Sequence, residues 1–307
     1  MRKDNYEVME SFTLKNIPSL DTCVLGALEL FSGAKIPRIK IPFKRPLVVG
    51  SGNAEATGRI LFEGEDCVFA NESNFLEKLR RVRGLGGVVV ISASGQKHAP
   101  LVARHSKKRA KRVVLITSNP LAPAGKFADK IFVFPKQREP YTYNTSTYLA
   151  MILGKTLENP KKIHSFIKRK IEPIGFSSLG KFKKYYLLVP PRFSEIRRMF
   201  HVKFIELFGR EIARDVETTE YVKHATTVVP SKDELFISFG ERNRIWGRHK
   251  LNIPLSRAAG YGEIMAVGYY VIGKIQEAHK PYFKKNIERY CKEASRVFRQ
   301  KISPIVE

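Results

Sequence analysis

The stretch Gly87-Val88-Val89-Val90-Ile91-Ser92-Ala93-Ser94-Gly95 decides the fold. Its first five residues are a short, unbroken apolar run rich in β-branched side chains, the pattern of a strand buried on both faces. Ser92-Ala93-Ser94-Gly95 closes the run, and a helix is predicted from about His98 to Lys108. A doubly buried strand that turns directly into a helix is the repeating piece of a parallel sheet covered by helices.

The same alternation extends to both sides. Upstream, Leu47-Val48-Val49 predicts a strand that ends at Gly50-Ser51-Gly52, with Ser51 or Asn53 placed to cap the next helix. Cys67 to Ala70 predicts a second strand and Asn74 to Val82 a helix. Downstream, Arg112 to Thr117 and Lys130 to Phe134 predict two more strands, and Ser146 to Thr156 a long helix. After a stretch rich in Lys and Pro the pattern restarts. Tyr185 to Val189 and Glu234 to Ser238 predict strands; Ser194 to Phe208, Tyr261 to Ala278 and Pro281 to Lys301 predict helices.

The 307 residues accommodate two domains of ordinary size. We expect an α/β protein with a lead-in over 1–45, a first domain over 46–158, a linker over 159–183 and a diverged second copy over 184–307. Ligands in such sheets lie beyond the carboxyl ends of the strands, where the strand order reverses. Both Gly50-Ser51-Gly52 and Ser92-Ala93-Ser94-Gly95 stand at strand ends.

Composition narrows the function classes. Met1-Arg2-Lys3 is basic, but Asp4, Glu7 and Glu10 follow where a leader's apolar core would lie. No apolar run approaches the length of a membrane span, so a cytoplasmic protein without a membrane partner is expected. Cys23, Cys67 and Cys291 lie far apart, with no spacing suited to zinc, and the seven histidines are scattered. No metal site is expected. The formal net charge of +26 draws anions of some kind: a phosphorylated metabolite, an acidic protein or a nucleic acid. The basic residues are dispersed, in runs such as Lys107 to Arg112 and Lys161 to Lys170, which does not favour a nucleic-acid partner.

The Ser-x-Ser-Gly turn is suited to an anion. Two hydroxyls two residues apart can donate to one phosphate, the glycine permits a tight turn, and free amides at a helix start point toward negative charge. An ordinary capped turn has the same residues, so the neighbours matter. The Gly50-Ser51-Gly52-Asn53 turn, the Ser-x-Ser-Gly turn and Tyr143-Asn144-Thr145-Ser146-Thr147 opening the last helix together resemble the SIS (sugar isomerase) domain family. The likeness is fullest over 46–155. It implies two SIS-like domains, each a flavodoxin-like sandwich of a parallel sheet between helices. It also implies a sugar-phosphate ligand held by Ser51, Gly52, Asn53, Ser92, Ser94, Gly95, Asn144, Thr145 and Thr147. Lys97 stands where the family commonly has a threonine, and Asn53-Ala54 where it commonly has a hydroxyl; a lysine can serve phosphate as a point charge.

In the second half, Lys203-Phe204-Ile205-Glu206 sets Lys203 and Glu206 on one helix face, and Glu220-Tyr221-Val222-Lys223-His224 follows. These are similar to segments of the phosphoglucose/phosphomannose isomerases and of the isomerase domain of glucosamine-6-phosphate synthase. By that resemblance Glu206 is the base that moves a proton between C1 and C2, His224 opens the sugar ring, and Lys203 assists. Ala225 replaces the family's Gly or Asn, and Lys274 or Lys280 stands in for a C-terminal lysine. The implied activity is aldose–ketose isomerisation of a hexose 6-phosphate or amino-sugar phosphate, or a deaminase-like variant of it. It uses an enediol and needs no cofactor. A homodimer in which partner subunits complete each site is implied as well. A non-catalytic sugar-phosphate sensor is the alternative.

Gly50-x-Gly52 with Glu72 imitates a dinucleotide fingerprint, but Glu55 occupies the third glycine position. Nothing matches a phosphate-binding P-loop, a nucleophile elbow or a zinc-protease motif.

Overall fold

The computed structural model describes residues 4–110, 112–224 and 229–307. Met1-Arg2-Lys3, Lys111 of the basic run and Ala225 after His224 lie outside them.

Helices α1 (Asn5–Ser11) and α2 (Leu20–Gly33) open the chain. Strand and helix then alternate through β1 (Pro46–Val49), α3 (Asn53–Leu61), β2 (Val68–Ala70), α4 (Phe75–Arg81), β3 (Gly87–Ile91), α5 (Ala99–Lys107), β4 (Val113–Thr117) and β5 (Lys130–Val133). A short β6 (Glu139–Pro140) leads to α6 (Thr145–Thr156) and to α7 (Pro160–Phe166), which continues as a π-helical turn over Ile167–Ile171. The second alternation comprises β7 (Lys184–Val189), α8 (Arg197–Phe208), β8 (Ala213–Thr218), β9 (Glu234–Phe239) and β10 (His249–Ile253). It closes with α9 (Tyr261–Ala278), α10 (Tyr282–Phe298) and β11 (Ile305–Val306).

These elements form two compact units. One takes Gly33–Lys136 and Ser146–Leu157; the other takes the residues up to Ser32, Gln137–Thr145 and Glu158–Glu307. The stretches read as lead-in and linker therefore contribute α1, α2 and α7 to the second unit.

The first unit is built on a five-stranded sheet in the order β2-β1-β3-β4-β5, parallel throughout. Its apolar strands explain the burial. Leu47, Val88, Val90, Val113 and Leu115 share one core with Phe75, Val102 and Ala103 from the flanking helices. The order is that of flavodoxin-like sheets, which reverse direction between β1 and β3.

The second unit carries a four-stranded parallel sheet, β10-β9-β7-β8. Read from the β8 edge, the winding repeats that of β2-β1-β3-β4. The expected α/β architecture of two parallel sheets flanked by helices is present. Helix α9 has 15 of its 18 residues buried, which accounts for a sequence apolar on every face. Its Gly268 lets Phe200 of α8 approach: a Cβ there would lie 2.0 Å from Phe200 Cζ. The start of α9 is closed by Glu158. The carboxylate accepts from the amides of Gly260 (2.8 Å), Gly262 (2.6 Å) and Glu263 (3.0 Å), groups that no helical carbonyl can satisfy. Among the described residues no helix is long and apolar enough to cross a membrane.

Two local expectations change. The sequence pattern predicts neither β8 nor β10, yet both are present. The helix predicted from Ser194 is a 3-10 segment, Pro191–Ile196, that gives way to α8 at Arg197. His224 ends a 3-10 turn, Tyr221–His224.

Candidate functional site

In the five-stranded unit the two glycine-bearing turns lie side by side, because Val49 of β1 pairs in register with Val90 of β3. Gly50 permits the first turn: a Cβ there would lie 2.6 Å from backbone atoms of Ala54 and Glu55. Gly52, at φ +57°, caps α3 with no side-chain hydrogen bond. Ser51 and Asn53 are half-buried, and the Oδ1 of Asn53 is shielded from solvent without a hydrogen-bond partner.

The second turn is held by its own hydroxyls and by β4. Gly95 N–H donates to Ser92 Oγ (3.1 Å), and Gln96 N–H to Ser94 Oγ (3.3 Å). Both hydroxyls accept in these bonds, so each keeps its proton for another acceptor. The Thr117 hydroxyl and the Ser118 amide both donate to the Ala93 carbonyl at 3.0 Å, while the Asn119 amide side chain donates to the Ser94 carbonyl at 2.9 Å. Gly95 has φ +64°, and a Cβ on it would lie 2.3 Å from Ala122 Cβ. Lys97 also takes a left-handed conformation (φ +51°), and burial lowers its pKa. The hydroxyl of Ser118, a residue only 4% exposed, has no partner. The unpartnered Ser118 hydroxyl and the two serine protons along the strand ends can donate to an anionic ligand, and the Asn53 Oδ1 can accept from a hydroxyl group of the same ligand.

The third predicted segment behaves differently. Thr145 is fully buried, its amide donating to Glu139 Oε2 (2.7 Å) and its hydroxyl to the Tyr143 carbonyl (3.4 Å). Thr147 is 5% exposed and Asn144 half-buried at φ +45°. The start of α6 is thus met by a carboxylate from the chain itself, and Thr145 is turned inward rather than toward a ligand.

In the four-stranded unit Lys203 is completely buried. Its ammonium donates to the carbonyls of Thr142 (2.6 Å) and Tyr143 (2.9 Å) and to Glu206 Oε2 (2.8 Å). All three protons are engaged, so the lysine orients Glu206 and has no hydrogen left for a substrate. The Glu206 side chain retains 16% exposure. Burial raises its pKa, against the opposing pull of Lys203. Tyr141 and Tyr290, rings 5.9 Å apart, share this neighbourhood. Burial first, then neighbours that include the Glu206 charge, pushes the Tyr141 phenol up to about 12 and raises Tyr290. Their separation in sequence gave no signal of this grouping.

His224 is not brought to Glu206. Arg197, at the start of α8, pairs with Glu217 near the end of β8 and lies over Tyr221. Glu206 is nine residues further along α8, about 13 Å down its axis. The exposed His224 therefore stands at the opposite end of this β-α-β piece. Lys274 pairs with Asp21 (2.7 Å) and Glu277 (2.9 Å), a structural use, whereas Lys280 is exposed. Arg192 lies over the ring of Phe193, 4.5 Å from its centroid.

The geometry defines an α/β protein with two parallel sheets flanked by helices, and comparison of folds agrees. No family model matches the sequence, and no curated protein matches it. The structure is similar to tagatose-6-phosphate ketose/aldose isomerase from Escherichia coli, with a TM-score of 0.58 at 12% identity over 86% of this chain and 89% of that one. It is also similar to glucosamine-6-phosphate deaminase from Thermotoga maritima, with a TM-score of 0.59 at 16% identity over 84% and 92% of the two chains. The C-terminal domain of glucosamine-fructose-6-phosphate aminotransferase from Francisella tularensis gives 0.56 at 13% identity over 92% and 97%. The chain shares the fold of these sugar-phosphate proteins.

Proposed function

We propose that this protein binds a sugar phosphate beyond β1 and β3 and interconverts its aldose and ketose forms. The observation that carries the reading is the crossover between β1 and β3. There the Ser92–Gly95 turn meets the Gly50–Asn53 turn beside the unpartnered oxygens of Asn53 and Ser118. Ser92 and Ser94 donate to the phosphate and Lys97 adds charge. The sugar-phosphate names of the structural neighbours support the same ligand class.

The candidate base is Glu206, assigned by the family resemblance and by its raised pKa rather than by any contact with the phosphate turn. Its carboxylate removes a proton from C1 of the ketose while the carbonyl oxygen at C2 gains one, giving an enediol. Returning the proton to C2 and releasing one from the C1 hydroxyl leaves the aldose. Lys203 fixes the carboxylate, and a raised pKa suits a group that must both take and return a proton.

The test uses the purified full chain with fructose 6-phosphate and glucosamine 6-phosphate. Binding at 100 times Kd stabilises a protein by about 2.7 kcal/mol, read as a melting shift. Ser92→Ala/Ser94→Ala should remove that shift. NMR should show conversion of fructose 6-phosphate to an aldose phosphate, lost in Glu206→Gln with binding retained. Absence of any shift with either phosphate sinks the reading. A shift without turnover leaves the sensor, which the separation of Glu206 from His224 favours.

A further inference from the structure

A second cationic feature lies in the four-stranded unit, independent of the sugar-phosphate reading. A cavity of about 910 Å³ is lined along one side by Lys161, Lys162, Phe166, Arg169 and Lys170, from α7 and the π-helical turn that continues it. Its other side includes Glu263, whose carboxylate is occupied by Ser256, accepting from the serine's amide and, at 2.6 Å, its hydroxyl. Lys161, Lys162 and Lys170 are exposed and form no ion pair among the described residues, in contrast to Lys168, which pairs with Glu172 at 2.7 Å. The unpaired cations and the cavity fall on the same side.

Spacing decides what such a groove suits. The pair Lys161/Lys162 and the pair Arg169/Lys170 are eight residues apart, about 12 Å along a helix. One phosphate meets one pair and leaves the other unsatisfied. A chain of phosphates meets both. Lys162, Phe166 and Lys170 fall four residues apart in turn, so a half-buried aromatic ring stands between two cations on the cavity wall. Cations that track a phosphate backbone, with an aromatic face where a base can stack, are the elements of single-strand recognition. The net charge of +26 raises the local concentration of any polyanion around this groove.

We propose that this groove binds single-stranded nucleic acid. The experiment measures fluorescence anisotropy of a labelled oligo-dT and oligo-U, each about 15 nucleotides long and so more than enough to span the groove, with the full chain across a salt series. With four phosphate contacts, log Kd should change with log salt at a slope of about 3. The groove variant Lys162→Glu/Arg169→Glu/Lys170→Glu should bind at least tenfold more weakly, with the slope falling toward about 1. An equal change of charge on the five-stranded unit, Arg80→Glu/Arg83→Glu/Lys108→Glu, should weaken binding less than threefold. Phe166→Ala, checked for an unchanged melting temperature, should cost about fivefold or more.

Equal losses in the two triple variants would mean that net charge alone attracts the strand, which overturns the proposal. So would tighter binding to a duplex of the same length, or displacement of the oligonucleotide by fructose 6-phosphate at concentrations that fill the sugar-phosphate site.

Discussion

Gly95 and Glu206 show how much chemistry rests on single residues. At Gly95 any side chain meets Ala122 and must also adopt φ +64°. Gly95→Ala should therefore destabilise by about 1–3 kcal/mol in chemical denaturation and remove the thermal shift given by sugar phosphate. Glu206 makes a prediction in pH. A general base works only when deprotonated, and burial raises this carboxyl above the ordinary range. The acid limb of the pH–rate profile should accordingly lie above that range. Lys203→Met removes the cation that holds the pKa down, so the limb should move further upward, a shift that mere loss of folded protein does not produce. The sign for stability is opposite to that of an ordinary paired carboxylate. The native state keeps this proton more tightly than the unfolded chain, so the group's own contribution is present at low pH and lost as pH rises through the raised value.

At the level of elements, α9 depends on a residue outside it. Glu158 accepts from three amides at its start, and all but three of the helix's residues are buried. Glu158→Ala should lower stability by about 1–2 kcal/mol in urea denaturation, and Glu158→Gln by less, because an amide oxygen still accepts. The elements with the longest apolar runs were the most legible in the sequence. β3, β4 and β7 are apolar but for Thr117 at the end of β4 and Lys184 at the start of β7, and α9 was legible from Tyr261 to Ala278. β8, Ala-Arg-Asp-Val-Glu-Thr, and β10, His-Lys-Leu-Asn-Ile, were hidden because they are edge strands with charged or polar residues at most positions. The Ser92–Gly95 turn was readable from local chemistry alone. What supports it from Thr117, Ser118 and Asn119, and what Lys203 does to the Thr142 and Tyr143 carbonyls, come from tertiary placement that no spacing encodes.

Across the whole molecule, the repeat of one strand order in two sheets was visible only as alternation, since the second copy has no Ser-x-Ser-Gly turn of its own. The charge also reads differently at this scale. Dispersed along the sequence, part of it converges at the α7 groove because a helix brings residues four and eight apart onto one side. The division of the chain carries a consequence for biosynthesis. The four-stranded unit draws on residues up to Ser32 as well as on Glu158–Glu307, while the five-stranded unit lies almost wholly between them. During translation the middle of the polypeptide can condense as soon as it leaves the ribosome, whereas α1 and α2 must wait, apolar faces uncovered, until more than a hundred later residues have been made. Those two helices are where a nascent chain of this protein most needs shielding from aggregation.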